Sequence, residues 1–413
     1  MIAYNQFVLK NGLRVIHHYD ADSTVVVLNT LYNVGARDEQ ADKTGFAHLF
    51  EHLMFGGSKN IAEYDKAVEN AGGSNNAFTN NDYTNYYITV PAENIETAFW
   101  LESDRMMMLD FSQKSLDVQK GVVVEEFRQR YYNAPFGELW HHLRGLLYKT
   151  HPYRWPTIGL EIGHIETASL QDVEAFFYKH YHPANAVLCV AGNVSLEETT
   201  ALCEKWYGGI DRSGEINKNI YPTEPRPVAR QLLETTDLSP NRAVFIAWRG
   251  PEFADHRSLE LELFADMLGA SEISPLYLQL VKKDHLFNAA ECFYLRGLSE
   301  GMFVLYGILN DDISHADAEK ALMHVMYEAI HGAELTETQL DMAKNKVTTS
   351  LLFEKATLIN KAQKLCFYEN LGQLQEMDKE PETYRKPSLD EIRKTAAATL
   401  NPEIASVIYY SPK

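Results

Sequence analysis

The run Phe7-Val8-Leu9-Lys10-Asn11-Gly12-Leu13-Arg14-Val15-Ile16 places two apolar stretches on either side of an Asn-Gly pair, the turn that joins antiparallel strands. Outward from this hairpin, the pattern predicts a strand over Val25 to Leu31 and helical periodicity from Thr44 to its stop at Gly56-Gly57. A short helix near Tyr64 to Ala71 follows. After Gly72-Gly73 come two strand-like runs, Ser74 to Thr79 and Thr84 to Val90, the second stopped by Pro91. Glu93 to about Tyr148 reads as helix in several pieces, and Asp172 to Tyr181 as a helix leading into a strand at Ala186 to Ala191. Helices are grouped rather than alternated with strands, and tight turns join neighbouring strands, so the fold class is α+β with mostly antiparallel sheets packed with helices.

The second half repeats this order. Strands are expected near Gln231 to Thr236, Val244 to Trp248, Ala289 to Leu295, Met302 to Leu309 and Ala405 to Tyr410, with helices between them. His182-Pro183 before one closing strand mirrors Asn401-Pro402 before the other, an offset of 219 residues between the two prolines. Between the halves lies a stretch of Gly, Asn and Lys with Pro222, Pro225 and Pro227, which has the composition of a linker. The expected organisation is two homologous domains, 1–212 and 231–413, joined by a linker at 213–230.

At 413 residues, 45% hydrophobic and 23% charged, the chain has ample material for a packed core. Its 38 basic against 57 acidic side chains give a net charge of −19, which disfavours a nucleic-acid partner because such binding rests on neutralising phosphates. No apolar run reaches the ~18 residues of a membrane span, and the opening residues lack a signal peptide's pattern. A cytoplasmic location is therefore expected, or a periplasmic one if a signal peptide has been removed. Cys189, Cys203, Cys292 and Cys366 are too scattered for a disulfide framework or a thiolate metal site and read as reduced core thiols.

Chemistry concentrates in Thr44-Gly45-Phe46-Ala47-His48-Leu49-Phe50-Glu51-His52-Leu53-Met54-Phe55. Four residues apart on a helix, His48 and His52 lie one turn above each other and can hold one metal ion, with Glu51 beside them as a base for metal-activated water. Two imidazoles suit Zn²⁺ better than Mg²⁺ or Ca²⁺. By composition such a His-x-x-acid-His match arises roughly 0.08 times per chain of this kind. A third ligand must come from elsewhere, and Glu125 and Glu126 on a helix over Ser115 to Tyr132 are the candidates. Periodicity does not choose between them, because Val118, Val122 and Glu125 share one face while Gln119, Val122 and Glu126 share the next.

With the glutamate before the second histidine, the motif resembles the inverted zinc peptidases, and the chain resembles the pitrilysin/insulinase family, including the mitochondrial processing peptidases. The matching stretches are TGFAHLFEHLMFGGS, AGGSNNAFTNNDYTNYY, WLESDRM, QKGVVVEEFRQR and HPYRWPTIG, which cover most of the first half. The resemblance implies that His48, His52 and Glu126 bind one zinc ion and that Glu51 is the general base. Glu126 follows from the family's spacing of seven residues after Gln119, which stands where relatives often carry a glutamate supporting the ligands. Asn76, Ala77 and Phe78 resemble the family's exposed edge strand. Asn76 and Ala77 would contact an extended peptide and Phe78 would shape a neighbouring pocket.

In the second half, the position 219 residues after His48 is Met267, so this copy has no equivalent metal motif. Relatives there supply an Arg and a Tyr that stabilise the reacting peptide, and the corresponding residues here are Lys282 and Asn288. The resemblance thus implies a zinc endopeptidase acting on peptides inside a chamber as a homodimer or as a heterodimer with a zinc-less paralogous subunit that carries the missing pair. The alternative is a non-catalytic member with an assembly or peptide-holding role.

Overall fold

A computed structural model describes residues 2–210 and 220–413. The expected linker, 213–230, lies partly outside the described residues. Each half builds one sheet. The first contains β1 (Asn5–Val8), β2 (Arg14–Tyr19), β3 (Val25–Tyr32), β4 (Ser74–Thr79), β5 (Thr84–Pro91) and β6 (Ala186–Gly192), in the order β1-β2-β6-β3-β5-β4. The second contains β7 (Gln231–Asp237), β8 (Ala243–Gly250), β9 (Phe287–Leu295), β10 (Gly301–Leu309) and β11 (Ser406–Pro412), in the order β7-β11-β8-β10-β9. Without β1 the two orders are the same, and each contains one parallel pair, β2 with β6 and β7 with β11, among antiparallel neighbours. Both sheets repeat one topology, as the duplicated sequence order predicts.

The opening hairpin is β1 paired with β2, from Val8 opposite Arg14 to Asn5 opposite His17. Gly12 turns it at φ +89°, where an added Cβ would also meet the Ala184 side chain at 2.9 Å.

The helices that matter to the site are α1 (Phe46–Leu53), α2 (Ile95–Met107), α3 (Gln113–Phe127), α4 (Leu139–Leu147), α5 (Arg257–Gly269), α6 (Glu337–Glu354) and α7 (Leu358–Asn370). The first sheet is covered on both faces, which is why β3 and β6 read as continuous apolar runs. On one face Val26, Leu28, Tyr86 and Ile88 pack with Phe46, Leu49 and Phe50 of α1 and Phe99 of α2. On the other, Val27, Leu31, Val187 and Cys189 pack with Ala362, Leu365 and Cys366 of α7. All four cysteines are free and buried.

This second cover departs from the expected contiguous division into 1–212 and 231–413. One compact unit comprises Met1–Phe127, Trp155–Tyr221 and Leu351–Glu380, and the other Arg128–Arg154, Pro222–Ser350 and Pro381–Lys413. The exchange is reciprocal. Helix α7 from the second half covers the first sheet, whereas Leu143 and Leu147 of α4, from the first half, pack on Phe245, Val304 and Ile408 of the second. A sheet whose two faces are both apolar needs two covers, and here each half receives one of them from the other half's sequence. No helix among the described residues is long and apolar enough to cross a membrane.

Candidate metal centre

Helix α1 begins at Gly45, whose φ of +88° and a Cβ clearance of only 2.6 Å to the Ile158 carbonyl oxygen admit no side chain without strain. Gly45 offers no capping side chain. Instead the buried Glu39 carboxylate accepts the backbone N–H groups of Gly45 (2.9 Å) and Ala47 (2.8 Å), satisfying donors that the first turn leaves open. Burial pushes the Glu39 carboxyl well up, and the two N–H donors oppose that shift.

Anchored this way, α1 buries Phe46, Leu49, Phe50 and Leu53 and turns His48, Glu51 and His52 to its other, half-buried face. The two imidazole rings stand 4.9 Å apart at 85°. From α3, Glu126 Oε2 comes within 3.7 Å of His48 Nε2 and 3.4 Å of His52 Nε2. Donors held ~2.0–2.1 Å from one tetrahedral ion lie about 3.4 Å from each other, and the two distances from Glu126 are close to that spacing. The donor set of two imidazoles and a carboxylate is that of catalytic zinc, and these side chains, 12%, 24% and 18% exposed, leave an approach open to solvent. Among the described residues this is the one group of three such side chains whose ligand atoms all lie within 4.8 Å of one another. Glu125, the alternative on the same helix, is exposed.

The other expected site residues fall as follows. Asn76, Ala77 and Phe78 sit on β4, which among the described residues pairs with β5 on one side only and forms the free edge of its sheet. There the Ala77 N–H donates to Asn76 Oδ1 at 2.8 Å. The Gln119 amide lies near Gly56, just past the end of α1, where a Cβ on that glycine would be 3.6 Å from Gln119 Nε2. In the second unit, Met267 is a buried residue of α5, Lys282 is exposed, and Asn288 donates to the Leu309 carbonyl at 3.3 Å.

Sequence reasoning passed over the support beneath α1. Arg105 of α2 is fully buried, pairs with Glu102 at 2.5 Å and lies over the rings of Phe55, Tyr64 and Tyr86 at 5.5, 4.7 and 4.5 Å. Burial alone would lower its pKa, but the adjacent Glu102 carboxylate outweighs that and keeps it above the ordinary arginine value. Tyr86 in turn donates to the Phe50 carbonyl of α1 at 3.3 Å. Burial pushes the Tyr86 phenol well up, with Tyr181 and the Glu51 carboxylate adding to the shift. The signal available was the pair Glu102 and Arg105, three residues apart within a helix that buries both. The seven-residue matching stretch around them concealed it as one motif among five.

Comparison with known proteins agrees in both halves. The family profile described as insulinase (peptidase family M16) matches residues 14–154, and that described as the peptidase M16 inactive domain matches residues 167–347. The chain is 29% identical over 344 residues to the zinc protease PqqE of Helicobacter pylori, spanning 81% of this chain and 76% of that one. It is 24% identical over 362 residues to the mitochondrial-processing peptidase subunit beta of Saccharomyces cerevisiae, spanning 83% and 77%. Among solved structures, a protease from Helicobacter pylori matches all of both chains with a TM-score of 0.90 at 25% identity. Among the described residues the candidate ligand group lies in the first sheet's unit and the twin topology holds none, which agrees with these matches, and the chain belongs to the insulinase family of peptidases, M16.

Proposed function

We propose that the chain is a zinc metalloendopeptidase that hydrolyses peptides or unfolded segments held extended along β4. The observation that carries this reading is the convergence of His48, His52 and Glu126, whose ligand atoms all lie within 4.8 Å of one another. When bound there, a zinc ion supplies Lewis acidity toward a carbonyl oxygen and toward water. Glu51, on the same face of α1, takes the proton of the attacking water and returns it to the leaving amine nitrogen. The edge of β4 orients the peptide backbone, and the Ala77 N–H, now held by Asn76 Oδ1, turns to a substrate carbonyl. The names of the relatives as zinc proteases support the same chemistry.

The chain works as one subunit of a pair, with its partner supplying the Arg and Tyr replaced here by Lys282 and Asn288. A relative named as a beta subunit supports such an assembly. Metal analysis and activity on a mixed peptide library, before and after chelation, test the reading. Glu51→Gln is expected to retain metal while losing about 10²- to 10⁴-fold in turnover. His48→Ala and Glu126→Ala lose the metal as well, whereas Glu125→Gln changes neither. A fully active Glu51→Gln protein, or a chain that takes up no metal, overturns the assignment. Full activity of the isolated chain, without a zinc-less paralogue, removes the partner from it.

A further inference from the structure

The second unit holds a cavity of about 340 Å³ whose described lining residues all belong to that unit, at the end of β8 where the chain leaves the sheet through Gly250-Pro251. Part of the lining is apolar and comes from Leu146 and Leu147 of α4, Pro227, Trp248 and Ile404. The Trp248 indole is fixed by donating to the Asn401 carbonyl at 2.8 Å. The rest is basic. Arg226, Arg249 and Arg257 all line the cavity, and Glu300 is the one acidic side chain among the described lining residues. In a chain of net charge −19, three arginines around one cavity run against the overall balance.

The three arginines differ in what already holds them. Arg257, at the start of α5, is closed off by Asp255, whose carboxylate accepts its Nε at 3.1 and 3.0 Å and its Nη2 at 2.5 Å and cancels its charge. Arg249 has a side chain only 7% exposed, and its guanidinium is oriented by the Pro225 carbonyl and, at 3.4 Å, the Glu224 carbonyl. Its ionic partner is Glu300, 2.5 Å away and 52% exposed. An exposed carboxylate on a buried guanidinium is an exchangeable counter-ion, since water stabilises it once released while the fork stays fixed for another carboxylate. Arg226 is exposed and makes no hydrogen bond or ion pair among the described residues, so its charge is available to a ligand. A bare inorganic anion would leave the leucines and Trp248 unfilled. At ~30 Å³ per water-sized group, the volume admits on the order of ten non-hydrogen atoms.

We infer that this cavity binds an organic carboxylate with a compact apolar body, aryl or branched alkyl, whose carboxylate replaces Glu300 on Arg249 within reach of Arg226. The inference is independent of the metal centre and of the peptidase reading. A free small acid and the C-terminus of a peptide ending in an apolar residue both carry this chemistry, and the test separates them. The full-length protein is titrated by calorimetry with 3-phenylpropanoate, its neutral amide, inorganic phosphate, and acetyl-Gly-Gly-Phe as the acid and as the amide. At least one of the two carboxylates should bind with a Kd of about 1 mM or tighter, and its amide about tenfold more weakly. Arg226→Gln should weaken that binding about three- to tenfold, whereas Glu300→Gln, which removes the competing carboxylate, should tighten it about threefold or more without changing the affinity for the amide. Both substituted side chains are exposed, and thermal melting checks that the variants fold. Binding of phenylpropanoate alone upholds the site for a free acid, and binding of the peptide acid alone upholds it for a chain terminus. Absence of binding by both carboxylates, equal binding of acid and amide, or phosphate binding as tight as the carboxylate overturns the site. So does an affinity that Arg226→Gln leaves unchanged or that Glu300→Gln lowers, because the bound carboxylate then lies elsewhere on the chain.

Discussion

Arg105 brings a full positive charge into the floor beneath α1, where Glu102 neutralises it and three aromatic rings surround it. Glu102 also accepts the Tyr64 hydroxyl at 2.5 Å and the Thr30 hydroxyl at 3.3 Å, so removing the guanidinium leaves a buried carboxylate with polar but uncharged partners. Arg105→Met should therefore cost about 3–5 kcal/mol in unfolding free energy, measured by urea titration. A cost below ~1 kcal/mol would show that the Arg105–Glu102 pair does not hold this floor together. The residue scale also shows what one sequence can and cannot settle. His48, Glu51 and His52 were legible because their spacing is itself the geometry of a helical ligand pair. Glu126 was not separable from Glu125 by periodicity because Val118 and Val122, 54% and 47% exposed, are apolar residues on the open side of α3. The buried stripe is instead Leu116, Val123, Val124 and Phe127.

Among the elements, the strands were read to within two or three residues, since their apolar runs are bounded by Gly, Pro and Asn. Helix ends were harder. Helical pattern from Thr44 was visible, but the cap of α1 comes from Glu39, a side chain six residues upstream of Gly45 that local motifs do not reveal. The helix Leu170–His180, which packs against α1 through Phe176, carries a pH-sensitive residue at its end. His180 is 1% exposed, and burial, with Lys179 and His182 adding, draws its pKa down to about 3. A group whose folded pKa lies below its unfolded value of about 6.5 contributes stability that is complete above pH 6.5 and lost as pH falls toward 3. Between pH 7 and pH 5 the wild-type protein should lose about 2 kcal/mol more than His180→Phe, as compared by urea unfolding at the two pH values. Equal losses would show that His180 titrates normally.

At the scale of the whole molecule, duplication was legible from element order, and the matched strand orders of the two sheets carry the same message. The reciprocal exchange of α4 and α7 was not. Each helix is amphipathic in its own sequence, and nothing in a 3.6-residue period says which of two similar sheets it will cover. The exchange makes a direct prediction for truncation. A fragment ending at residue 212 keeps α1, α3 and the whole first sheet yet lacks α7, so Val27, Leu31, Val187 and Cys189 lose their cover. It should aggregate or melt without a cooperative transition in calorimetry, despite containing every proposed metal ligand. A soluble fragment with a sharp transition would make α7 dispensable.

Synthesis runs in one direction, and the last segment needed by the first sheet, Leu351–Glu380, is translated only after Pro222–Ser350 of the other unit. A nascent chain halted anywhere before it leaves the ribosome with an aliphatic surface bare, marking it for chaperones and quality-control proteases. The unit that carries the proposed metal ligands is thus completed only after Pro222–Ser350 of the other unit has been made.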